Sequence, residues 1–249
     1  MKPFLLLATR ADDAAADEEY DAFLRFSGLD ERDLRRHRLE RTPLGDVELD
    51  DWSGILLGGG PFNVSDPDDA KTPAQKRVEA ELSALISRIV DVDFPFLGAC
   101  YGIGTLGGQQ GAVVDRRFSE PVGAVEITVV EPDPLFQDVP TTFEAFVGHK
   151  EAISALPPHA VLLASSPTCP VQAFRIGRHV YATQFHPELD AEGLCTRVDV
   201  YKYAGYFKPE EADEIKALAR ASDVRHPPAV LRAFIRLALR SERSSASPG

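Results

Sequence analysis

The hydrophobic and polar positions in the first part of the chain alternate in a pattern typical of strands followed by helices. Short apolar runs predict buried strands, and longer segments with apolar residues three or four positions apart predict amphipathic helices. The predicted strands are Phe4–Thr9, Ser53–Leu57 and Pro95–Ala99, and the predicted helices are Ala16–Phe26 and Lys71–Val90, the latter beginning near Thr72-Pro73. This order predicts an α/β fold with a mostly parallel sheet, helices on both faces and a functional site at the carboxyl ends of the strands.

The second half of the chain shows strands separated by turns. The strands predicted there are Val122–Val130, Phe143–Val147, Val161–Ser165, Val171–Ile176 and His179–Gln184, with Gly177-Arg178 as a hairpin turn. They predict an antiparallel extension of the sheet. Two further helices are predicted at Glu210–Ala221 and Pro227–Arg240. We expect a single domain over residues 1–240 and a disordered polar tail over residues 241–249.

The composition is that of a globular protein with an acidic surface. With 249 residues, 44% of them hydrophobic, the chain can bury one large α/β core, and two compact domains are also compatible with this length. The formal net charge of -12 argues against nonspecific binding to nucleic acid or to an anionic membrane, and solubility alone is enough to explain it. The densest basic stretch, residues 32–38, is interpreted as a solvated face leading into a strand, with docking of an acidic partner as the alternative.

Targeting and metal-binding signals are weak in this sequence. No apolar segment is long enough to span a bilayer, and the first eight residues are too short and too soon followed by acidic residues for a secretion signal. The three cysteines are widely spaced and do not form a disulfide framework, so we expect a cytoplasmic protein. The cysteines and histidines also lack the paired spacing of metal sites, so no metal is expected.

The segment Gly98-x-Cys100-x-Gly102 is the most informative chemical feature of the chain. It follows an apolar run and precedes a segment compatible with a helix. A sharp strand-to-helix turn lifts one side chain out of the sheet, and small residues two positions before and after it keep the backbone from clashing. Cys100 is therefore a candidate nucleophile. An isolated cysteine in an apolar segment is more often inert, so the assignment depends on a partner elsewhere in the chain.

His186, in the segment 184–188, is the predicted partner. Pro187 favours an extended conformation at His186, and in an extended segment positions 186 and 188 project to the same side. Glu188 can then hold one nitrogen of the imidazole while the other nitrogen faces Cys100. A free thiol is mostly protonated at neutral pH, and an adjacent imidazole is expected to raise the thiolate fraction.

Three consecutive glycines, Gly58 to Gly60, follow the predicted strand Ser53–Leu57 and precede Pro61. Because they lack side chains, their backbone N–H groups can approach a ligand closely, which suits an oxyanion hole. A phosphate-binding turn and a merely structural turn are the alternatives. The first of these is disfavoured, because no Gly-Lys-Ser or Gly-Lys-Thr follows.

Three segments together resemble the signature sequences of class I (triad-type) glutamine amidotransferases. They are Gly58-Gly-Gly-Pro61, Cys100-Tyr-Gly-Ile103 and Gln184-Phe-His-Pro-Glu188, and the resemblance covers residues 50–190. Within that family, the amidotransferase domain of GMP synthase is the most similar. The resemblance implies a flavodoxin-like sheet, in agreement with the strand and helix pattern.

The resemblance also implies roles for individual residues. Cys100 is the nucleophile, His186 the general base and acid, and Glu188 the residue that orients the histidine. The backbone N–H groups of Gly60 and Tyr101 form the oxyanion hole. The implied reaction is hydrolysis of the side-chain amide of glutamine to glutamate and ammonia through a cysteine thioester, without a cofactor or metal. In such systems the ammonia passes to a separate synthetase.

The chain departs from the family pattern at Gly104, where the family usually has a glutamine that contacts the substrate. The further candidate substrate-binding positions are Gly59, Gly104 and His149, the last because Gly148-His149-Lys-Glu151 resembles the family's Ser-His-Gly-Asp segment. A structural role for His149 is equally open. Nothing in the sequence resembles the nucleotide loop of the ATP-pyrophosphatase domain that completes GMP synthase, so the chain is not expected to make GMP by itself.

Two alternative functions remain open at the level of the sequence. The missing glutamine side chain at position 104 would make room for a larger γ-glutamyl compound, which favours a γ-glutamyl hydrolase. A non-catalytic regulatory protein of the same fold is the second alternative. The presence of Cys100, His186 and Glu188 argues against it.

Overall fold

Strands and helices alternate in the first half of the computed structural model, which describes residues 2–245. The strands are β1 (Phe4–Ala8), β2 (Leu34–Arg38), β3 (Gly54–Leu57) and β4 (Phe96–Ala99). The helices are α1 (Asp13–Ser27), α2 (Pro73–Asp91) and α3 (Tyr101–Gln109), with a short 3-10 helix at Leu49–Asp51. Apart from β2 and the 3-10 helix, these elements lie where the sequence pattern predicts them.

The second half consists mainly of strands and ends in helices. The strands are β5 (Val113–Asp115), β6 (Glu120–Val129), β7 (Thr142–His149), β8 (Ala152–Ala155), β9 (Val161–Ser165), β10 (Ala173–Ile176) and β11 (Val180–Thr183). The helices are α4 (Ala191–Val200), α5 (Ala212–Ala221) and α6 (Pro227–Ser245), with 3-10 helices at Pro134–Phe136 and Pro209–Glu211. The predicted hairpin turn is confirmed: Gly177 adopts φ 57° between β10 and β11.

One nine-stranded sheet organises the fold, in the order β2-β1-β3-β4-β11-β10-β9-β6-β7. The first five strands of this order pair in parallel. The remaining strands pair antiparallel with their neighbours, while β5 and β8 form a separate antiparallel pair. The mostly parallel sheet with an antiparallel extension is therefore confirmed.

The two faces of the sheet carry separate hydrophobic cores, because successive residues of a strand point to opposite faces. Leu6 of β1 belongs to one core together with Phe23 of α1 and Phe234 of α6. Its neighbour Leu7 belongs to the other core together with Leu82 of α2. Helices thus cover both faces, as the sequence pattern predicts.

The register of the parallel strands brings three segments of the chain together at one edge. Leu57 of β3 pairs with Gly98 of β4, and Ala99 of β4 pairs with Thr183 of β11. The carboxyl ends of parallel strands lie at the same edge of a sheet. The glycine turn, Cys100 and the segment leading to His186 therefore emerge side by side.

Helix α2 begins where the sequence predicts. The side chain of Thr72 accepts a hydrogen bond of 3.1 Å from the backbone N–H of Gln75, and Pro73 occupies the first helical position. A threonine cap satisfies one of the unpaired N–H groups of a helix start, and a proline at the first position leaves one fewer to satisfy because it has no N–H. Their combination explains why this boundary is readable from the sequence.

The prediction for the basic stretch is wrong in one respect. Residues 34–38 do not lead into a strand but form β2 itself, at the edge of the sheet beside β1. Arg36 forms an ion pair with Asp17, and Arg38 forms one with Asp13, both acidic partners lying in α1. Charged side chains on an edge strand also discourage pairing with another chain.

The predicted boundary of the C-terminal tail is also wrong. Helix α6 continues through residues 241–245, because nothing in this polar stretch breaks a helix. Residues 246–249 lie outside the described residues, so the disorder expected for them stays a prediction. Helix α4 and the β5–β8 pair are additional elements that the sequence pattern did not reveal.

The helices were also compared with the length and apolar character of a membrane span. Among residues 2–245, no helix is both long enough and apolar enough to cross a bilayer.

Candidate active site

Cys100 lies on a strained turn between β4 and α3. Its backbone adopts φ 54° and ψ -93°, a region that residues other than glycine rarely occupy. A Cβ atom on Gly98 would lie 2.9 Å from the Cα atom of Gly102, so a larger residue at either position would push the helix away from the strand. The Cys100 N–H donates to the Thr183 carbonyl at 2.8 Å and fixes the turn against β11.

His186 and Glu188 form a buried hydrogen-bonded pair. The distance from His186 Nδ1 to Glu188 Oε1 is 2.7 Å, and the Glu188 side chain is fully buried. Because a carboxylate only accepts hydrogen bonds, we assign the proton to Nδ1, which leaves Nε2 able to accept a proton. His186 lines the same cavity as Cys100. The structure thus brings together the three residues that the sequence singles out.

Arg197 of α4 lies next to the His186–Glu188 pair, and the sequence analysis did not predict it. Its Nη2 donates to Glu188 Oε1 at 3.0 Å, and its Nη1 lies 3.1 Å from His186 Nδ1. A second buried arginine, Arg10, donates from Nε to Glu19 at 2.9 Å, and Glu19 also lies 3.8 Å from Arg197. Arginine and glutamate side chains therefore alternate in the buried region next to the His186 imidazole.

The two arginines differ in the signal that they leave in the sequence. Arg10 lies two residues after the end of β1, at the edge of the sheet where functional residues collect, and this position could have indicated it from the sequence. Arg197 lies in the middle of a helix and has no local signal. The packing of α4 against α1 brings Arg197 within 3.4 Å of Glu18 and 3.8 Å of Glu19, whereas Glu188 lies on the segment just before α4.

Burial determines the protonation of the three side chains. It raises the pKa of the Cys100 thiol to about 12, with Glu188 adding to the effect and Arg10 and Arg197 opposing it. Burial also lowers the pKa of His186, with Arg197 adding to this effect and Glu188 opposing it. Burial alone would raise the pKa of Glu188, but its interactions with His186 and Arg197 lower it overall. These shifts favour a thiol, a neutral imidazole and a carboxylate as the forms at rest.

The glycine turn packs tightly against the end of β1 and against His186. A Cβ atom on Gly59 would lie 2.6 Å from His186 Cε1, and one on Gly60 would collide with the Thr9 hydroxyl. The same hydroxyl donates to the Gly59 carbonyl at 3.1 Å. Gly60 lines a cavity together with Cys100 and Tyr101. The Tyr101 N–H stands at the first position of α3, where N–H groups have no partner within the helix.

Gly104 faces Glu151 rather than open space. A Cβ atom at position 104 would lie 3.0 Å from Glu151 Oε1 and 3.5 Å from Val64 Cγ2. The Glu151 carboxylate accepts hydrogen bonds of 2.8 Å and 2.7 Å from the backbone N–H groups of Val64 and Ser65. The volume beside Gly104 is thus partly filled by a carboxylate held in place by the loop after the glycine turn.

We therefore expect Gly104→Gln to harm the protein instead of restoring a substrate contact. The new side chain must displace Glu151 from its two backbone donors, and such overpacking costs about 1–3 kcal/mol of unfolding free energy. Gly108→Gln, on the same helix at an exposed position, is the matched control and should change stability by no more than about 0.5 kcal/mol. Urea unfolding and glutamine kinetics on both variants measure the difference. Unchanged stability with a higher kcat/KM in Gly104→Gln would show that position 104 reaches the substrate.

His149 has both ring nitrogens engaged. Nδ1 lies 2.8 Å from the Glu151 carbonyl oxygen, and Nε2 lies 2.8 Å from Glu120 Oε2. Both ring nitrogens are therefore taken up by protein partners. Burial alone would raise the pKa of Glu120, but its hydrogen bonds from His149 and Thr168 lower it overall. With no nitrogen left for a substrate, we interpret His149 as structural.

Cys169 joins His149 and Glu120 in a cluster that the sequence spacing did not reveal. Ligand-type atoms of these three residues lie within 4.8 Å of one another. The Glu120 carboxylate already accepts hydrogen bonds from His149, Ser166, Thr168 and Gln172. Burial raises the pKa of Cys169 to about 12, whereas a metal ligand is a thiolate. The cluster is better explained as a hydrogen-bonded support beneath the strand ends.

Sequence comparison places the chain in a known family. The sequence model described as "Glutamine amidotransferase class-I" matches residues 33–193, and the chain belongs to this family. The glutamine-hydrolysing GMP synthase subunit of Methanoculleus marisnigri is 31% identical over 137 residues, which cover 55% of this chain and 65% of that protein. The corresponding GMP synthase subunit of Thermococcus kodakarensis is 30% identical over 149 residues, covering 59% and 72%. The chain is therefore related to the amidotransferase part of GMP synthase.

Solved structures share the fold over nearly the whole chain. A glutamine amidotransferase from Thermotoga maritima superposes with a TM-score of 0.76 at 20% identity, covering 96% of this chain and 99% of the other. A protein from Thermoplasma acidophilum, described as a GMP synthase subunit, gives 0.68 at 22% identity, covering 99% of each chain. These likenesses support the fold assignment. The family match includes Cys100 and His186 but leaves out Arg10 and Arg197.

Proposed function

We propose that the chain hydrolyses the side-chain amide of glutamine to glutamate and ammonia through a thioester on Cys100. The observation that carries this proposal is one cavity lined by a cysteine on a strained turn and by a histidine whose Nδ1 is held by a buried carboxylate. Family membership supports the same reaction. A non-catalytic role is disfavoured because a protein without turnover has no need for this arrangement.

The reaction begins with coupled proton transfer and attack. The Cys100 thiol is protonated at rest, so its proton moves to His186 Nε2 as Sγ attacks the amide carbon. Glu188 stabilises the imidazolium that forms, because its carboxylate remains ionised and hydrogen-bonded to Nδ1. The carbonyl oxygen becomes an oxyanion near the backbone N–H groups of Gly60 and Tyr101.

Collapse of the tetrahedral intermediate breaks the carbon–nitrogen bond. His186 donates its proton to the departing nitrogen, which leaves as ammonia, and the glutamyl group remains on Cys100 as a thioester. A water molecule then transfers a proton to His186 and attacks the thioester. The proton returns to Sγ as glutamate leaves, so the site is restored.

The relatives support a proposal for the destination of the ammonia. Two of them are described as one subunit of a glutamine-hydrolysing GMP synthase. The matched region covers only 65% of the first, so a shared partner is part of the proposal. We propose a separate synthetase as the acceptor. The free state of all three cysteines agrees with a reducing cytoplasm as the setting.

Covalent labelling with a glutamine-like chloroketone tests the nucleophile. Cys100 is expected to react in preference to Cys169 and Cys195, because it alone lies beside His186 in a cavity, and excess glutamine should protect it. The other two cysteines serve as internal controls within the same sample, read by peptide mass mapping. Equal labelling of all three, or a spared Cys100, contradicts the assignment.

A further inference from the structure

Two cavities meet at Cys100, and they differ in the residues that line them. One, here called the glutamyl cavity, is lined by Phe62, Asn63, Cys100, Tyr101 and Glu151. The other, here called the leaving-group chamber, is lined by Cys100, His186, Leu189, Leu194, Val198 and Phe207. Cys100 and Gly60 belong to both, so a substrate bound at the thiol faces each cavity with a different part.

The position of His186 decides which part faces which cavity. In the proposed reaction, His186 gives its proton to the nitrogen that leaves, so this nitrogen must lie on the side of the imidazole. His186 lines the leaving-group chamber. The leaving nitrogen, with any group attached to it, therefore points into the chamber, and the rest of the glutamyl group extends into the glutamyl cavity.

The walls of the leaving-group chamber do not suit free ammonia. Leucine, valine and phenylalanine side chains cannot form hydrogen bonds with ammonia. An alkyl group packed against them is removed from water, which is favourable. The two arginines at the wall are held by other side chains: Arg10 donates to Glu19 and to the Tyr201 hydroxyl, and Arg197 donates to Glu188. An uncharged alkyl substituent on the amide nitrogen is the occupant that fits this lining.

The chamber is also built by a part of the chain outside the family match. The matched segment ends at residue 193, whereas Leu194, Val198 and Phe207 follow it. Leu194, Val198 and Phe207 thus give an apolar wall to a site whose nucleophile and histidine belong to the family segment. This wall borders the side of the site that receives the leaving group.

Resting on the proposed function, we propose that the preferred substrates are γ-glutamyl amides with a small uncharged alkyl group on the nitrogen. The thiol attacks the γ-carbonyl, the carbon–nitrogen bond breaks, and the alkylamine leaves with the proton from His186. Water then hydrolyses the thioester to glutamate. No oxidant, reductant or cofactor takes part, and glutamine is the smallest member of this substrate series.

Kinetics with glutamine and its N-methyl, N-ethyl and N-propyl derivatives test the proposal. The kcat/KM is expected to rise about three- to fourfold with each added methylene group, since each one moves from water into the chamber. Val198→Phe fills the chamber and should lower the ratio of kcat/KM for the N-propyl amide to that for glutamine at least tenfold. Val198→Leu is a smaller change that should lower the ratio less, in case the phenylalanine variant does not fold.

Val92→Phe is the matched control, because Val92 is 65% exposed and lies outside both cavities. It should leave the ratio unchanged. The chamber assignment alone is overturned if the protein hydrolyses glutamine but has a kcat/KM at least tenfold lower for the N-alkyl amides. It is also overturned if neither Val198→Phe nor Val198→Leu changes the ratio of the two kcat/KM values. Folded protein that hydrolyses neither glutamine nor any N-alkyl amide overturns the proposed function itself and, with it, this inference.

Discussion

His186→Ala is expected to lower kcat/KM for glutamine about 10⁴-fold or more, because no other group accepts the Cys100 proton or protonates the leaving nitrogen. The Cys100 pKa of about 12 strengthens this expectation, since the thiol cannot attack without transferring its proton. Glu188→Gln keeps the shape of the orienting side chain and removes its charge. It should cost less than His186→Ala, because Glu188 makes and breaks no bonds.

The measurement compares the loss of kcat/KM in His186→Ala with that in Glu188→Gln, with folding checked by circular dichroism. Cys100→Ala provides the reference for a site without its nucleophile and should match His186→Ala closely, because residues that act as a unit lose their effects together. A Glu188→Gln loss as large as that of Cys100→Ala, or a His186→Ala variant with near-normal rates, would assign the proton transfer to another group.

Arg197→Met is expected to lower the free energy of unfolding by about 3–5 kcal/mol, because it leaves a buried carboxylate without its cationic partner. Glu188 is fully buried and Arg197 is 6% exposed, so water cannot replace the guanidinium. Arg197→Lys keeps the charge but loses the guanidinium fork, one arm of which holds Glu188 at 3.0 Å, and its cost should be intermediate.

Arg220→Met is the matched control for Arg197→Met. Arg220 pairs with Glu192 at the surface, where both side chains are more than half exposed, and such pairs contribute no more than about 1 kcal/mol. Urea unfolding of the variants compares the two sites. Equal stability losses in Arg197→Met and Arg220→Met would contradict the buried-network interpretation.

The pH profile separates an electrostatic role of Arg197 from a purely structural one. The positive charge of Arg197 lowers the pKa of His186, so its removal raises that pKa. A general base must be neutral to accept a proton, and the acidic limb of kcat/KM in Arg197→Met should therefore move to higher pH. In Arg197→Lys the limb should stay close to that of the unchanged protein.

Most of the fold and the central residues could be predicted because their signals are local. Cys100 lies between two glycines at the end of an apolar run, and Pro187 fixes the relation between His186 and Glu188 within a few positions. Thr72-Pro73 likewise marks the start of α2 through the chemistry of helix caps. Such features depend on neighbouring residues, which the sequence displays directly.

The features that escaped prediction depend on contacts between distant segments. Arg197 meets Glu18 and Glu19 because α4 packs on α1, and Glu151 fills the space beside Gly104 because the loop at Val64 binds its carboxylate. Strand β2 is rich in arginine and looks like a solvated segment, yet pairing with β1 and with acidic residues of α1 stabilises it. No period or spacing in the sequence reports these contacts.

Release of products from glutamine is the measurement that tests the central claim most directly. The purified chain is expected to form glutamate and ammonia in equal amounts, and Cys100→Ala should form neither above the rate without enzyme. Both products are measured in the same reaction, with and without a candidate synthetase. Product formation that persists in Cys100→Ala, or its absence from the folded unchanged protein under both conditions, would contradict a glutamine amidotransferase that acts through Cys100.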